Sequence, residues 1–349
     1  MASSVDSLSI QTVLGPIPAS ELGRTHTHEH LLVDLTPGIP VSRMTPEEQA
    51  RLDDEITLSN YYEIRRDHWN RNECRLDEED LAVKEMIRFR EAGGGAVVDV
   101  TPLGAGRDVE GLARISRRSG VHVVAAAGFY LSAYHPAKVA TADVQEITKW
   151  IIDEVVEGIP GTDIRASIIG EVGMGWPVHP DEEKVLQASA HAQAETGVPL
   201  MVHPGINPAA PLKHLATIEA AGGDIKRTIV AHIDRTLFEL DDMKALADTG
   251  CYLEIDLFGR ESAHHPFSPI DMLNDAGRVN VLMDLIAAGY GSQLLIAQDI
   301  CHKTNLINYG GEGYAHLLKH VVPMMKRKGM SEESIDMLFI ENPKHALSK

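Results

Sequence analysis

Residues 23–32 read Gly-Arg-Thr-His-Thr-His-Glu-His-Leu-Leu, and the spacing of their histidines decides how the rest of the chain is read. On a strand, alternate side chains share a face, so His26, His28 and His30 would converge on one spot. Three imidazoles on one spot suggest a metal. A solvated strand face produces the same pattern, so the reading turns on whether further ligands arrive where a fold can bring them together.

Working outward, short apolar or β-branched runs recur at 23–30, 94–100, 122–130, 166–173, 199–205, 227–234, 251–259 and 293–300. Between them lie stretches with helical spacing, among them 78–94, 142–158 and 181–197, which close on the glycine expected after a helix. Near-continuous apolar strands alternating with helices are the pattern of an α/β (β/α)8 TIM barrel, whose parallel strands are buried on both faces. A doubly wound open sheet is the alternative. It would put a polar site at one switch point, whereas here polar residues end many strands.

The whole chain, 1–349, reads as a single barrel domain. Residues 1–22 form an N-terminal extension, a turn or hairpin, and 38–77 a polar rim loop and helix inserted after the first strand. Residues 331–349 read as a short amphipathic C-terminal helix, stopped before Asn342-Pro343 and placed to close the barrel bottom.

Composition narrows the function. Apolar content of 44% with 24% charged residues is that of a soluble globular protein. No apolar run approaches the roughly 20 residues that span a bilayer, and the N-terminus lacks the basic and apolar regions of a signal peptide. A cytoplasmic location is the expectation. Cys74, Cys251 and Cys301 are far apart with no CxxC, which argues for inert thiols over disulfides or a thiolate zinc site. A formal charge of -19 repels phosphate backbones and anionic lipid, so neither nucleic acid nor membrane is an expected partner. A small molecule is. An anionic one would need cations of its own in the pocket.

Metal-type residues fall at the C-terminal ends of the expected strands: His28 and His30 on the first, Glu171 on the fourth, His203 on the fifth, His232 on the sixth and Asp299 on the eighth. Barrel active sites are built there from strands distant in sequence. Imidazoles and carboxylates without thiolates suit zinc, with manganese, iron and cobalt as alternatives. Four histidines and two carboxylates exceed one tetrahedral ion with an open position. Two ions about 3.5–4 Å apart, sharing a bridging carboxylate and hydroxide, would use them all.

These residues carry a family resemblance. The stretch 23–31 resembles the first signature of the phosphotriesterase family, in the amidohydrolase superfamily, which reads GxTLxHEH, with His26 standing where that family has Leu. The similarity continues through VVAAAGFY, IIGEVG, VHPG, AHIDRT and AQDI to ENPKHAL, in order and on the matching strands. It is greatest with the phosphotriesterase-related branch of animals, through the runs GGGA, GVHV, GAGFY, LQATAHAQA and YGGxGY, which have similar counterparts here. The resemblance implies that His28, His30 and Asp299 hold the more buried ion and His203 and His232 the more exposed one. Glu171 would bridge them in place of the carbamylated lysine of the best-known phosphotriesterases. It also implies a homodimer.

His26 is then read as a packed or outer-sphere imidazole, on the same strand face but about 7 Å toward the barrel interior. His302 and Lys303 are candidates to line the pocket. His179, His191, His214, His264, His265 and His316 read as solvated.

The chemistry expected is hydrolysis by a metal-bridging hydroxide. Asp299 would carry its proton to the leaving group, and Tyr130 would donate a hydrogen bond. The resembling branch implies an amidohydrolase acting on N-acetyltaurine and related small N-acyl amino acids, hence taurine metabolism. A lactonase or promiscuous phosphotriesterase is the enzymatic alternative, weakened by Asp256-Leu257-Phe258 where lactonases carry Asp-Arg-aromatic. A non-catalytic ligand-binding barrel is the alternative of another class. Arg235, Arg260 and Lys303 are the strand-end cations that could meet a substrate anion, and a rim salt bridge accounts equally for each.

Overall fold

Eight parallel strands, each paired with its sequence neighbour, run in chain order around the molecule. They are β1 (Arg24–Glu29), β2 (Gly94–Asp99), β3 (His122–Ala127), β4 (Ile168–Gly173), β5 (Leu200–His203), β6 (Thr228–Val230), β7 (Tyr252–Ile255) and β8 (Leu294–Ile296). The seam between β8 and β1 is closed just beyond β8, where the Asp299 amide donates to the His28 carbonyl at 3.1 Å and the His30 amide to the Ile300 carbonyl at 3.3 Å. The structure is a computed structural model describing residues 8–261, 264–265 and 268–349. The first seven residues of the expected extension lie outside the described residues.

Each strand is followed by a helix: α1 (Glu79–Glu91), α2 (Val109–Ser119), α3 (Val144–Val156), α4 (Pro180–Thr196), α5 (Ala210–Ala220), α6 (Leu240–Ala247), α7 (Asp275–Ala287) and α8 (Val322–Arg327). Their ends follow from local chemistry. Asp143 and Glu146 form a capping box at the start of α3, and Gly120 and Gly197 end α2 and α4 in the left-handed region that glycine adopts freely.

The strands are apolar on both faces because both are covered. Ala96, Val98, Val124, Ala126, Ile168, Met201, Ile229 and Leu295 fill the barrel interior. Val97, Val123, Ile169, Val202 and Leu253 belong to the outer core, which also contains Leu112, Ile147 and Leu186 from the helices. A fully buried aliphatic side chain of this kind contributes about 1.5–3 kcal/mol.

Below the barrel, Ser9–Thr12 and Gly15–Pro18 form an antiparallel hairpin. Ile10 and Leu22 join Ala346 and Leu347 in the interior core, so both ends of the chain seal one mouth. The expected stop before Asn342-Pro343 does not occur. Glu332–Asp336, the wide turn Met337–Glu341 and Asn342–Leu347 run on as one helical stretch. Pro343 lies in the first turn of its segment, where a missing N–H is tolerated, and the widened turn before it relieves the ring's clash. Asn342 is tied down by donating to the carbonyls of Gly291 and Leu294 at 2.8 and 2.7 Å.

At the opposite mouth, Val33–Asp34 pairs with Arg75–Leu76 and closes the base of the insertion, whose helices are Pro46–Ala50 and Tyr61–Asp67. It is latched to the segment after β8: Glu73 accepts from the Thr304 amide at 2.9 Å, and Arg65 donates to the Thr304 carbonyl at 2.8 Å. Among the described residues no helix is long and apolar enough to cross a membrane.

Candidate metal centre

The six side chains read from strand ends meet at the mouth beneath this insertion. Glu171 lies at their centre: its oxygens are 2.6 Å from His203 Nδ1, 3.3 Å from His30 Nε2 and 3.6 Å from both His28 Nε2 and His232 Nε2. Asp299 Oδ1 faces the β1 pair, 3.3 Å from His30 and 3.7 Å from His28. His232 and Asp299 sit at φ 56° and 49°, a left-handed conformation rare for residues with side chains and typical of functional sites.

A bulge in β1 overturns the simple alternation from which His26 was assigned the face of His28. His26 pairs with Val97 and Glu29 with Asp99, so three steps on β1 answer two on β2. The extra residue turns two consecutive side chains inward. Thr27 hydrogen-bonds Glu254, and His28 Nδ1 lies 3.3 Å from the same carboxylate. His26 faces the opposite way, its ring 4.7 Å from that of Phe89 on α1 and 6.3 Å from Phe339. Its one polar contact among the described residues is Nδ1 to Glu29 at 2.9 Å, with none to the six central side chains.

The inner ends of the histidines are fixed by groups that local sequence did not single out. Asp256 receives His232 Nδ1 at 2.8 Å and the His232 amide at 3.0 Å, and reaches His28 Nδ1 at 3.1 Å. Thr101 Oγ1 holds His30 Nδ1 at 2.8 Å. An Nδ1–H committed to a carboxylate leaves the Nε2 lone pair facing the centre. The available signal was Leu-Glu-Ile-Asp at 253–256, which sets Glu254 and Asp256 on one face of β7. Behind them, the fully buried Arg278 binds Asp234 at 2.6 Å and Asp275 at 3.1 Å, anchoring the turns after β6 and β7.

The donor set fits a divalent cation. His28 Nε2 is buried with no hydrogen-bond partner while facing two carboxylates. His28, His30 and Asp299 form one group that could hold an ion, and His28, Glu171 and His232 another. The charge balance points the same way. Burial opposes ionisation of Glu171, yet His203 and His28 hold its carboxyl well below the usual range. Burial disfavours charge on His30, but Asp299 and Glu171 outweigh it and raise its pKa to about 9. These carboxylates demand positive charge, which an ion would supply.

The remaining expected residues divide. Tyr130 Oη lies 3.4 Å from His203 Nδ1, at the centre's edge. Arg235 donates to His203 Nε2 at 2.9 Å, and Arg260 to Asp299 Oδ2 at 2.9 Å. Lys303 is directed elsewhere, toward Asp77 and Glu78 at 3.6 and 3.4 Å. His302 is buried and stacked on His68 at 4.0 Å. His214, expected in solvent, is buried on α5 near Trp176, because the helix face it occupies packs inward. All three cysteines are free and buried.

This constellation has counterparts in known proteins. N-acetyltaurine hydrolase of Rattus norvegicus is 41% identical over 342 residues, 97% of each chain. The structure of a resiniferatoxin-binding protein from Rhodobacter sphaeroides superposes with a TM-score of 0.93 at 35% identity, over 98% of this chain and 96% of that one. The phosphotriesterase homology protein of Escherichia coli, complexed with phosphate in its active site, gives 0.76 at 30% identity over 93% and 98%. The sequence profile of the phosphotriesterase family matches residues 8–347. The chain belongs to the phosphotriesterase family.

Proposed function

We propose that the protein is a metal-dependent amide hydrolase that cleaves N-acetyltaurine and related small N-acyl amino acids. The observation that carries this reading is the gathering of four imidazoles and Asp299 around Glu171, in a chain 41% identical to an N-acetyltaurine hydrolase over 97% of both lengths. His28, His30 and Asp299 would hold one divalent ion and His203 and His232 a second, with Glu171 shared; zinc suits the set best, ahead of manganese, iron or cobalt. When bound, the ions supply a Lewis acid for the acyl oxygen and a water acidic enough to attack near neutral pH.

The chain's own residues handle binding and protons. Burial, with Glu171 adding to it, pushes the Tyr130 hydroxyl well above its usual range, so it stays protonated and donates to the acyl oxygen. Asp299 accepts the proton of the attacking water. Burial works against its charge, but Arg260 and His30 outweigh that and hold its carboxyl at about 2. A proton resting there passes readily to the departing nitrogen, which leaves as an amine rather than an anion.

The test is to load the protein with zinc and follow acetate and taurine from N-acetyltaurine. Stoichiometric release, abolished by a chelator, is expected. A sample that opens lactones or hydrolyses a phosphotriester, yet frees no acetate, overturns the reading. A non-catalytic barrel is a second reading, favoured by the relative described as a resiniferatoxin-binding protein. Ligand binding without turnover of any substrate would select it.

A further inference from the structure

A cleft beside the metal centre carries the opposite charge to the chain. It opens between the rim helix Tyr61–Asp67, with Arg65, Arg66 and His68, and Arg260, His264 and His265 beyond β7. Among the described residues no carboxylate lines it, although the chain has 51 acidic residues against 32 basic ones. The arginines differ in what they have left to offer. Arg65 is committed to Glu312 at 2.7 Å and to the Thr304 carbonyl at 2.8 Å. Arg260 uses Nη2 on Asp299, and its buried Nε has no hydrogen-bond partner among the described residues. The Arg66 side chain is exposed and makes no hydrogen bond or ion pair among the described residues.

The crowding of positive charge is felt by His265, whose pKa is driven down to about 3 by burial and then by Arg235 and Arg260. Because Arg260 also touches Asp299, cleft and metal centre adjoin. A substrate with its reacting carbonyl at the centre would meet the cleft if its anionic end extended past Arg260. Resting on the amide-hydrolase reading, we propose that Arg66, in the cleft that Arg260 also lines, forms the subsite for the substrate's anionic tail. A sulfonate or carboxylate there selects acidic N-acyl amines over neutral amides, since a guanidinium offers paired donors to such groups.

Two measurements on the zinc-loaded full chain test this. Arg66→Ala removes an exposed side chain that has no polar partner among the described residues, so folding is not at stake. The kcat/KM ratio of N-acetyltaurine to uncharged N-acetylethanolamine should fall about ten-fold through KM, with Arg66→Lys recovering most of it. An unchanged ratio overturns the proposal. Independently of turnover, ethanesulfonate followed by calorimetry should bind the parent about ten-fold more tightly than Arg66→Ala. Equal affinity, or no binding to the parent, overturns it. Arg66-dependent binding in a protein that hydrolyses no amide would keep the subsite and discard the hydrolase reading. Hydrolysis of N-acetyltaurine with no dependence on Arg66 would do the reverse.

Discussion

Glu29 grips the backbone on both sides of Asp299: its Oε1 accepts from the Gln298 amide and its Oε2 from the Ile300 amide, each at 3.0 Å. Asp299 needs such support, because its φ of 49° is a conformation that costs about 1–3 kcal/mol for a residue with a side chain. The run His28-Glu29-His30 thus has two jobs. Its histidines face Glu171 and Asp299, and the residue between them holds the opposing strand's carboxylate in place while closing the barrel seam.

Glu29→Gln tests the clamp. The amide keeps one acceptor and turns an NH2 toward a backbone N–H, leaving a buried donor unpaired at about 1–3 kcal/mol. Urea unfolding should show that loss, and zinc content should fall while the circular dichroism stays that of the parent. Full zinc content in the variant would show that the clamp does not hold Asp299.

His214 gives the fold a sensitivity to acid that is separate from the metal centre. It is 1% exposed, and burial, with Lys213 adding, pushes its pKa from 6.5 to about 4. The folded pKa is the lower one, so as pH falls the unfolded chain takes the proton first. The contribution is complete above about pH 6.5 and lost toward pH 4, with an upper size of about 3 kcal/mol. His214→Leu should therefore resist unfolding better than the parent at about pH 5, relative to their difference at about pH 7.5. A difference independent of pH would overturn the assignment.

The barrel is legible in the sequence because a parallel strand covered on both faces must be apolar throughout, and β1–β8 lie within the runs expected. The six central side chains are legible because barrel sites gather at strand ends. The β1 bulge is not, since one inserted residue reverses the facing of His26 without changing composition or spacing. Arg278 is equally hidden: on α7 it looks like a surface residue, and only the arrival of Asp234 from another turn makes it a buried cation. What the sequence withholds are partnerships between side chains distant along the chain.

The bulge makes the histidines of β1 unequal in a measurable way. His28→Ala removes a side chain aimed at Glu171 and Asp299 and should strip metal and abolish activity. His26→Ala opens a cavity beside Phe89 and Phe339, with a stability loss of about 2 kcal/mol and metal content retained. Comparable metal loss from both variants would show that His26 shares the inner face after all.

Asp256 and Glu254 both reach His28 Nδ1, at 3.1 and 3.3 Å, yet losing their charge should have unequal effects. Burial pushes the Glu254 carboxyl upward and outweighs its contact with His28. Burial presses on Asp256 too, but His232 and His28 overcome it and hold its carboxyl far below the usual range. Glu254 contacts one imidazole, beside Thr27, whereas Asp256 contacts two, so Glu254→Gln should change metal affinity the less. Asp256→Asn removes the charge that fixes two imidazole tautomers and should weaken zinc binding by about 10- to 100-fold. Competition against a chromophoric chelator measures both. If Glu254→Gln proves the more damaging, the negative charge that orients His28 resides on Glu254, and Asp256 serves His232 alone.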